Sequence, residues 1–353
     1  MTPPHDHGAA RDNNAAQFGS SLVAMVTPMR PDGRVSQDAV TRLVDYLLAA
    51  GCDGLVVAGT TGESPTLTPA ETAELITTVA RAARGRARVI AGVGTNDTVQ
   101  SVDQARQAED AEADALLLVA PYYSRPTQAG VVAHGLAVAD ATALPVMLYD
   151  VPHRTGTQFS APALIELARH PRVRAVKDAK GDLFEAVAVM AETDLAYYCG
   201  IDELNLPYLA AGASGVVSVV ANVAPAQIAE LIQAVVRGDL PRARAINRSL
   251  VPLVDAIMRT SQGPIMAKGA LAELGTLEHV TVRLPLLESP PEDLDKLRLA
   301  LARAPGRRRT TPAAGSVAIQ ARYGHRVRSR PPPAAVLIRC GGRRASPAAP
   351  RTP

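Results

Sequence analysis

Short, mostly apolar runs recur along this chain, and between them lie longer segments whose apolar positions return at helical spacing. The runs occupy positions 22–26, 54–58, 89–92, 115–119, 145–149, 173–177, 195–199 and 216–219. Nearly continuous apolar runs of this length are strands buried on both faces. The segments between them open with helix signals. Ser36 precedes an apolar face at Val40, Leu43, Val44, Leu47 and Leu48, and Gly51 stops it; Thr68-Pro69 sets a cap and a proline in their preferred order. Further helices are expected from about 97, 128, 162, 182, 203 and 225.

Eight strand–helix units over about 220 residues predict an α/β fold, a (β/α)8 TIM barrel. A doubly wound open sheet is the alternative, because periodicity does not prove closure. No run is followed by G-x-G-x-x-G, which counts against a nucleotide-binding version. After 237 the rhythm ends and two or three helices follow, at about 241–259, 264–274 and 291–302. Their apolar face (Ile246, Leu250, Leu253, Val254, Ile257) marks a C-terminal helical appendage. The expected organisation is a disordered leader (1–17), a catalytic barrel (18–237), a helical region (238–304) and a disordered Arg/Pro/Ala-rich tail (305–353).

Charge changes this picture only at the tail. The formal net charge is +3, but eleven of the 37 Lys and Arg residues lie in 305–353, where there is no acidic residue. The remaining 26 face 34 acidic residues, so the body carries −8. No apolar run is long enough to span a membrane and the N-terminus lacks a signal-peptide core, so a soluble, cytoplasmic protein is expected. Three scattered cysteines (Cys52, Cys199, Cys340) and seven histidines without ligand spacing give no sign of a disulfide framework or a metal site.

In a barrel of this kind chemistry sits where strands end. Thr60 and Thr61 follow the second run, Tyr122 and Tyr123 the fourth; Tyr149 ends the fifth, Lys177 ends the sixth, and Gly200 follows the seventh. Each has a plain structural explanation: threonines as a turn, tyrosines as packing, and a lysine carrying its charge outward along an apolar stem. Together they are what Schiff-base chemistry needs. A neutral amine attacks a carbonyl, and forming and dehydrating the carbinolamine requires proton transfers that hydroxyls and phenols supply.

Gly59-Thr60-Thr61-Gly62-Glu63-Ser64, Pro121-Tyr122-Tyr123, Leu148-Tyr149-Asp150-Val151-Pro152 with Arg154-Thr155-Gly156, and Val176-Lys177-Asp178-Ala179 resemble the signatures of the 4-hydroxy-tetrahydrodipicolinate synthase (dihydrodipicolinate synthase) family. These are class I, pyruvate-dependent aldolases of diaminopimelate and lysine biosynthesis. The resemblance spans about 19–302 and is closest to actinobacterial-type members, which share Lys-Asp-Ala-Lys. It implies that Lys177 forms an imine with pyruvate and that no other cofactor is used. Tyr149 is implied as the central proton donor and acceptor, linked through Thr60 to Tyr123. Thr61 would hold the pyruvate carboxylate beside the backbone of Val217, with Gly200 at the pocket, and Arg154 would bind the carboxylate of L-aspartate 4-semialdehyde. The family's tyrosine at the Tyr123 position reaches into a neighbouring subunit, which implies a tight dimer and, for most members, a homotetramer built as a dimer of dimers.

Two departures stand out. Gly200-Ile201-Asp202 replaces the family's usual Gly-Asp-Asp, and Pro69, Thr72 and Gln100 stand where lysine-inhibited members carry two histidines and a glutamate, which implies weak or absent inhibition by lysine. The alternatives are a sister aldolase or lyase acting on a sugar-acid aldehyde, and a catalytically idle barrel that binds a keto acid. Sister enzymes generally lack the arginine of Arg154. An arginine tail binding nucleic acid is not expected, since the tail has one aromatic residue, Tyr323, and no recognisable module.

Overall fold

The computed structural model describes residues 7–303; positions 1–6 of the leader and the whole of the expected tail lie outside the described residues. Eight parallel strands close into a barrel in sequence order: β1 (Ser21–Ala24), β2 (Gly54–Val57), β3 (Arg88–Val93), β4 (Ala115–Val119), β5 (Val146–Asp150), β6 (Val173–Asp178), β7 (Ala196–Cys199) and β8 (Gly215–Ser218). At the seam Leu22 of β1 pairs with Val217 of β8. That seam depends on Gly215, where a Cβ would fall 2.1 Å from the Ser20 carbonyl oxygen. Closure excludes the open sheet.

The first helix, α1 (His7–Ala15), precedes the barrel. Around the strands run α2 (Gln37–Ala49), α3 (Pro69–Ala83), α4 (Thr98–Asp110), α5 (Gln128–Asp140), the short α6 (Pro152–Thr155), α7 (Ala161–Leu167), α8 (Leu183–Glu192), α9 (Asn205–Ala210) and α10 (Pro225–Val236). Local chemistry starts most of them. At α3 the Thr68 hydroxyl accepts from the Glu71 amide at 3.2 Å while Glu71 accepts from the Thr68 amide at 2.9 Å, a reciprocal cap. Asp97, Thr127, Ser160 and Asp182 cap α4, α5, α7 and α8 through their side chains. Ser36 precedes α2 as expected but makes no side-chain cap bond.

Alternate residues of each strand enter two cores. Leu22, Val56, Ile90, Leu117, Met147 and Val217 fill the barrel, while Val23, Val57, Leu118, Leu148 and Val176 face the helices. Burial on both faces is why the runs read as continuous rather than alternating.

The leader expectation needs correction. Residues 7–15 form α1, a polar helix held by tertiary bonds rather than by an apolar face of its own. Asn14 donates from Nδ2 to the Asp194 carbonyl at 2.8 Å, and the Arg11 guanidinium donates to the carbonyl of Met190. Behind α1, the fully buried Phe18 closes the N-terminal mouth, edge-on to Tyr198 with ring centroids 6.2 Å apart.

Three more helices complete the unit: α11 (Leu240–Met258), α12 (Gly263–Glu273) and α13 (Pro291–Arg303). Helix α11 packs on α10, and α12 reaches the turn after β2. Among the described residues no helix is long and apolar enough to cross a membrane.

Candidate active site

Parallel register brings the sixth strand's lysine against the fifth strand's tyrosine, since Tyr149 pairs with Lys177 and Lys177 with Tyr198. Tyr198 turns to the N-terminal mouth, where its hydroxyl donates to the Gly19 carbonyl at 2.7 Å. Tyr149 is therefore the tyrosine beside the amine. The Lys177 Nζ lies 4.1 Å from the centroid of its ring, and the two residues are only 6% and 7% exposed.

Gly200 leaves room for this arrangement. A Cβ there would stand 3.1 Å from both Cγ and Cε of Lys177 and 3.0 Å from the Asp178 carbonyl oxygen. Gly200→Ala is therefore expected to push the lysine stem out of line and lower kcat/KM by roughly 10- to 100-fold at nearly unchanged melting temperature, as read by steady-state kinetics. Parent-level kinetics would show that the stem has slack.

The two threonines sit on a one-turn 3-10 helix, Thr60–Gly62, directly after β2. Its flanks are strained: Ala58 and Glu63 hold positive φ of 52° and 59° despite their Cβ atoms. The Thr27 hydroxyl donates to the Gly62 carbonyl at 2.7 Å and fixes the turn from the barrel side. Thr61 is buried, whereas Thr60 lines a cavity of about 470 Å³ together with Tyr149, Val151, Arg154 and Tyr122. Pro69 and Thr72 of α3 line it as well. Lys177, Thr61 and Val217 do not line it; the amine lies one ring away, against Tyr149 of the wall.

Arg154 is held on α6, a four-residue turn that follows β5 and that sequence periodicity did not resolve from α7. Its neighbour Thr155 accepts the Tyr123 amide at 3.0 Å through its carbonyl, tying the loop after β4 to that after β5. Tyr123 itself points away. It is 86% exposed, with φ of 72°, and within one chain no hydrogen bond joins the hydroxyls of Thr60, Tyr149 and Tyr123. A large aromatic held out in a left-handed conformation suits contact with another molecule.

Several charged groups escaped sequence reasoning. Asp150 and Asp178, each one residue past Tyr149 and Lys177, pair with each other in register and face the opposite side of the barrel wall. Lys180 bridges them. Its Nζ stands 3.1 Å from Asp150 Oδ2 and donates to Glu185 at 2.7 Å, while its amide donates to Asp178 Oδ1 at 2.8 Å. Burial pushes the Asp150 carboxyl up to about 6, with Lys180 opposing, and raises Asp178 as well. Burial also works against the Lys180 ammonium, but Asp150 and Glu185 outweigh it and raise that group.

An acid raised by folding holds its proton more tightly in the folded chain, so the Asp150 charge costs stability as pH climbs from its ordinary 3.8 through about 6. Lys180 offsets that cost. Lys180→Met should accordingly destabilise by about 3–5 kcal/mol at pH 8, where Asp150 is stranded as a charge, and by clearly less at about pH 5, where it holds its proton. Thermal melts at the two pH values measure this; equal losses would contradict it.

Between β7 and β8 the buried Asp202 accepts from the Val219 and Val220 amides at 2.9 and 3.1 Å, from Asn205 at 3.1 Å, and from the Ser218 hydroxyl. It fixes the end of β8 next to Val217, and burial raises its carboxyl. Ile201 turns back over Gly181, its Cδ1 lying 3.4 Å from where a Cβ on that glycine would stand. Among the described residues no cluster of His, Cys, Asp and Glu could hold a metal ion.

A closed (β/α)8 barrel with a buried amine against a phenol at the C-terminal ends of its strands has the layout of a class I, Schiff-base aldolase. The chain belongs to the dihydrodipicolinate synthetase family, whose model matches residues 17–304. It is 50% identical over 289 residues to a 4-hydroxy-tetrahydrodipicolinate synthase of Acidothermus cellulolyticus, covering 82% of this chain and 93% of that one. To 4-hydroxy-tetrahydrodipicolinate synthase 1 of Streptomyces coelicolor it is 50% identical over 282 residues, covering 80% and 92%. Among solved structures it is similar to the dihydrodipicolinate synthases of Aquifex aeolicus (TM-score 0.78, 37% identity, 81% of this chain and 98% of that one) and Bacillus anthracis (0.79, 38%, 82% and 99%). The actinobacterial resemblance read from the motifs agrees with these relatives.

Proposed function

We propose that this protein condenses pyruvate with L-aspartate 4-semialdehyde to 4-hydroxy-tetrahydrodipicolinate, in lysine and diaminopimelate biosynthesis. The observation that carries the reading is the Lys177 amine held 4.1 Å over the Tyr149 ring, beside a cavity that also presents Thr60 and Arg154. Half-identity to enzymes of that name over four-fifths of the chain supports the same substrates.

Chemistry follows from the groups. The Lys177 amine adds to the keto carbon of pyruvate, and loss of water gives the imine. Tyr149 is the phenol against the amine and is placed to move protons in both steps, with Thr60 lining the same cavity. Removal of a methyl proton turns the imine into an enamine, whose carbon attacks the aldehyde. The substrate's own amine then displaces Lys177 and closes the ring. Thr61 and the Val217 backbone hold the pyruvate carboxylate, and the Arg154 guanidinium forks the carboxylate of the second substrate. No bound cofactor enters any step.

Tyr123 completes the relay in a second copy of the chain, which its exposure and left-handed backbone support. Assembly is thus a tight dimer, doubled into a tetramer, in the cytoplasm. The function is tested by offering pyruvate with L-aspartate 4-semialdehyde and following product through an NADPH-dependent reductase. Turnover is expected with this aldehyde; turnover only with a sugar-acid aldehyde would make the protein a sister aldolase.

A further inference from the structure

The Thr60–Thr61 turn is gripped from outside the barrel. Immediately after it, Glu63 adopts φ 59° and ψ 36°, a left-handed conformation unusual for a residue with a Cβ, and it is 2% exposed. Its carboxylate takes both of its strong partners from the C-terminal region. Oε1 accepts from Lys268 Nζ of α12 at 2.5 Å, and Oε2 accepts from the Arg283 amide at 2.9 Å. Lys268 is fully buried and gives a second bond, at 2.7 Å, to the Thr281 carbonyl. Burial holds its ammonium below the ordinary value, with Glu63 opposing.

Arg283 then spans the rest of the loop. Its guanidinium donates to the Thr66 carbonyl at 2.6 Å, to the Gly33 carbonyl at 2.9 Å, and to both oxygens of Glu71 at 2.9 and 2.5 Å. Glu71 belongs to the reciprocal cap of α3, whose first turn lines the cavity. Segment 60–71 is therefore clamped at Glu63, Thr66 and Glu71 by two cations more than 200 residues away in sequence. None of the clamping side chains lines the cavity, so none touches substrate there.

A buried ion pair is a poor way to gain stability, because an apolar pair of equal volume usually does as well. What it does supply is a fixed direction, since two charge-assisted bonds to one carboxylate define the orientation of the residue that bears it. We propose that Glu63, Lys268 and Arg283 form a positioning device through which the C-terminal helical region sets the pose of Thr60 and Thr61 toward pyruvate. The proposal rests on the catalytic reading above, in which those two threonines serve the pyruvate half of the site.

Lys268→Met alone strands the Glu63 carboxylate and endangers folding. The informative variant is the pair Glu63→Gln with Lys268→Met, which removes both charges and keeps an acceptor for the Arg283 amide. It is expected to melt close to the parent while the pyruvate concentration for half-maximal borohydride trapping on Lys177 rises about tenfold, and KM for the aldehyde changes far less. Arg283→Gln, with a side chain 21% exposed, gives an independent reading and should raise the same concentration by roughly threefold. Parent-like trapping in both the pair and Arg283→Gln, at parent-like melting temperature, overturns the positioning role while leaving Lys177 chemistry intact. If the parent protein itself traps no pyruvate, the catalytic reading falls and this one falls with it.

Discussion

Lys177→Ala is expected to abolish turnover, by more than about 10⁴-fold, because among the described residues no other amine stands against the Tyr149 ring to form the imine. The loss should fall on kcat. The carboxylate partners proposed for pyruvate, Thr61 and the Val217 backbone, are left untouched, so its binding is expected to weaken only modestly, which equilibrium binding to the variant would measure. Fold should survive as well, since the lysine has no hydrogen-bond or ion-pair partner among the described residues and alanine fits any strand end. Turnover within about tenfold of the parent would mean that the reaction proceeds without covalent attachment at this residue.

Tyr149→Phe is the second large effect. The substitution keeps the ring under the amine and removes only the hydroxyl, so it separates placement of Lys177 from proton transfer. The expected loss is about 10²- to 10⁴-fold in kcat, the range that positioned acid–base groups contribute, with slowed imine formation in a single-turnover experiment. A variant that forms imine at the parent rate would shift the proton-transfer role to Thr60 or to solvent. Asp150, the next residue, does not substitute for the lost hydroxyl, because it faces the outer side of the barrel wall, toward Lys180.

Much of this architecture was legible in the sequence for a physical reason. Strands buried on both faces leave unbroken apolar runs, and all eight predicted runs coincide with strands of the barrel. Caps are equally local: Thr68, Asp97 and Asp182 start the helices where they were expected. The lysine and the tyrosine could be placed together because parallel strands end on one face, so residues ending the fifth and sixth runs are neighbours.

What sequence did not carry is interaction without a local signature. Glu63 and Lys268 are 205 residues apart, and nothing near either reports the other. Lys180 closes the Lys-Asp-Ala-Lys motif, but nothing local shows that it lies between Asp150 and Glu185. Helix α1 has the composition of a leader and forms by docking Arg11 and Asn14 onto the far end of the barrel. The short α6, which carries Arg154, is a single turn with no period to detect. Tyr123 was placed in a relay by resemblance, yet in one chain its ring faces outward.

The central claim is that pyruvate becomes covalently attached to Lys177. Incubation with pyruvate and borohydride, followed by peptide mapping by mass spectrometry, tests it most directly. The account predicts one reduced pyruvyl adduct, on the peptide bearing Lys177, formed without the aldehyde and absent from Lys177→Ala; an adduct on another lysine, or none at all in a protein that turns over, would contradict it.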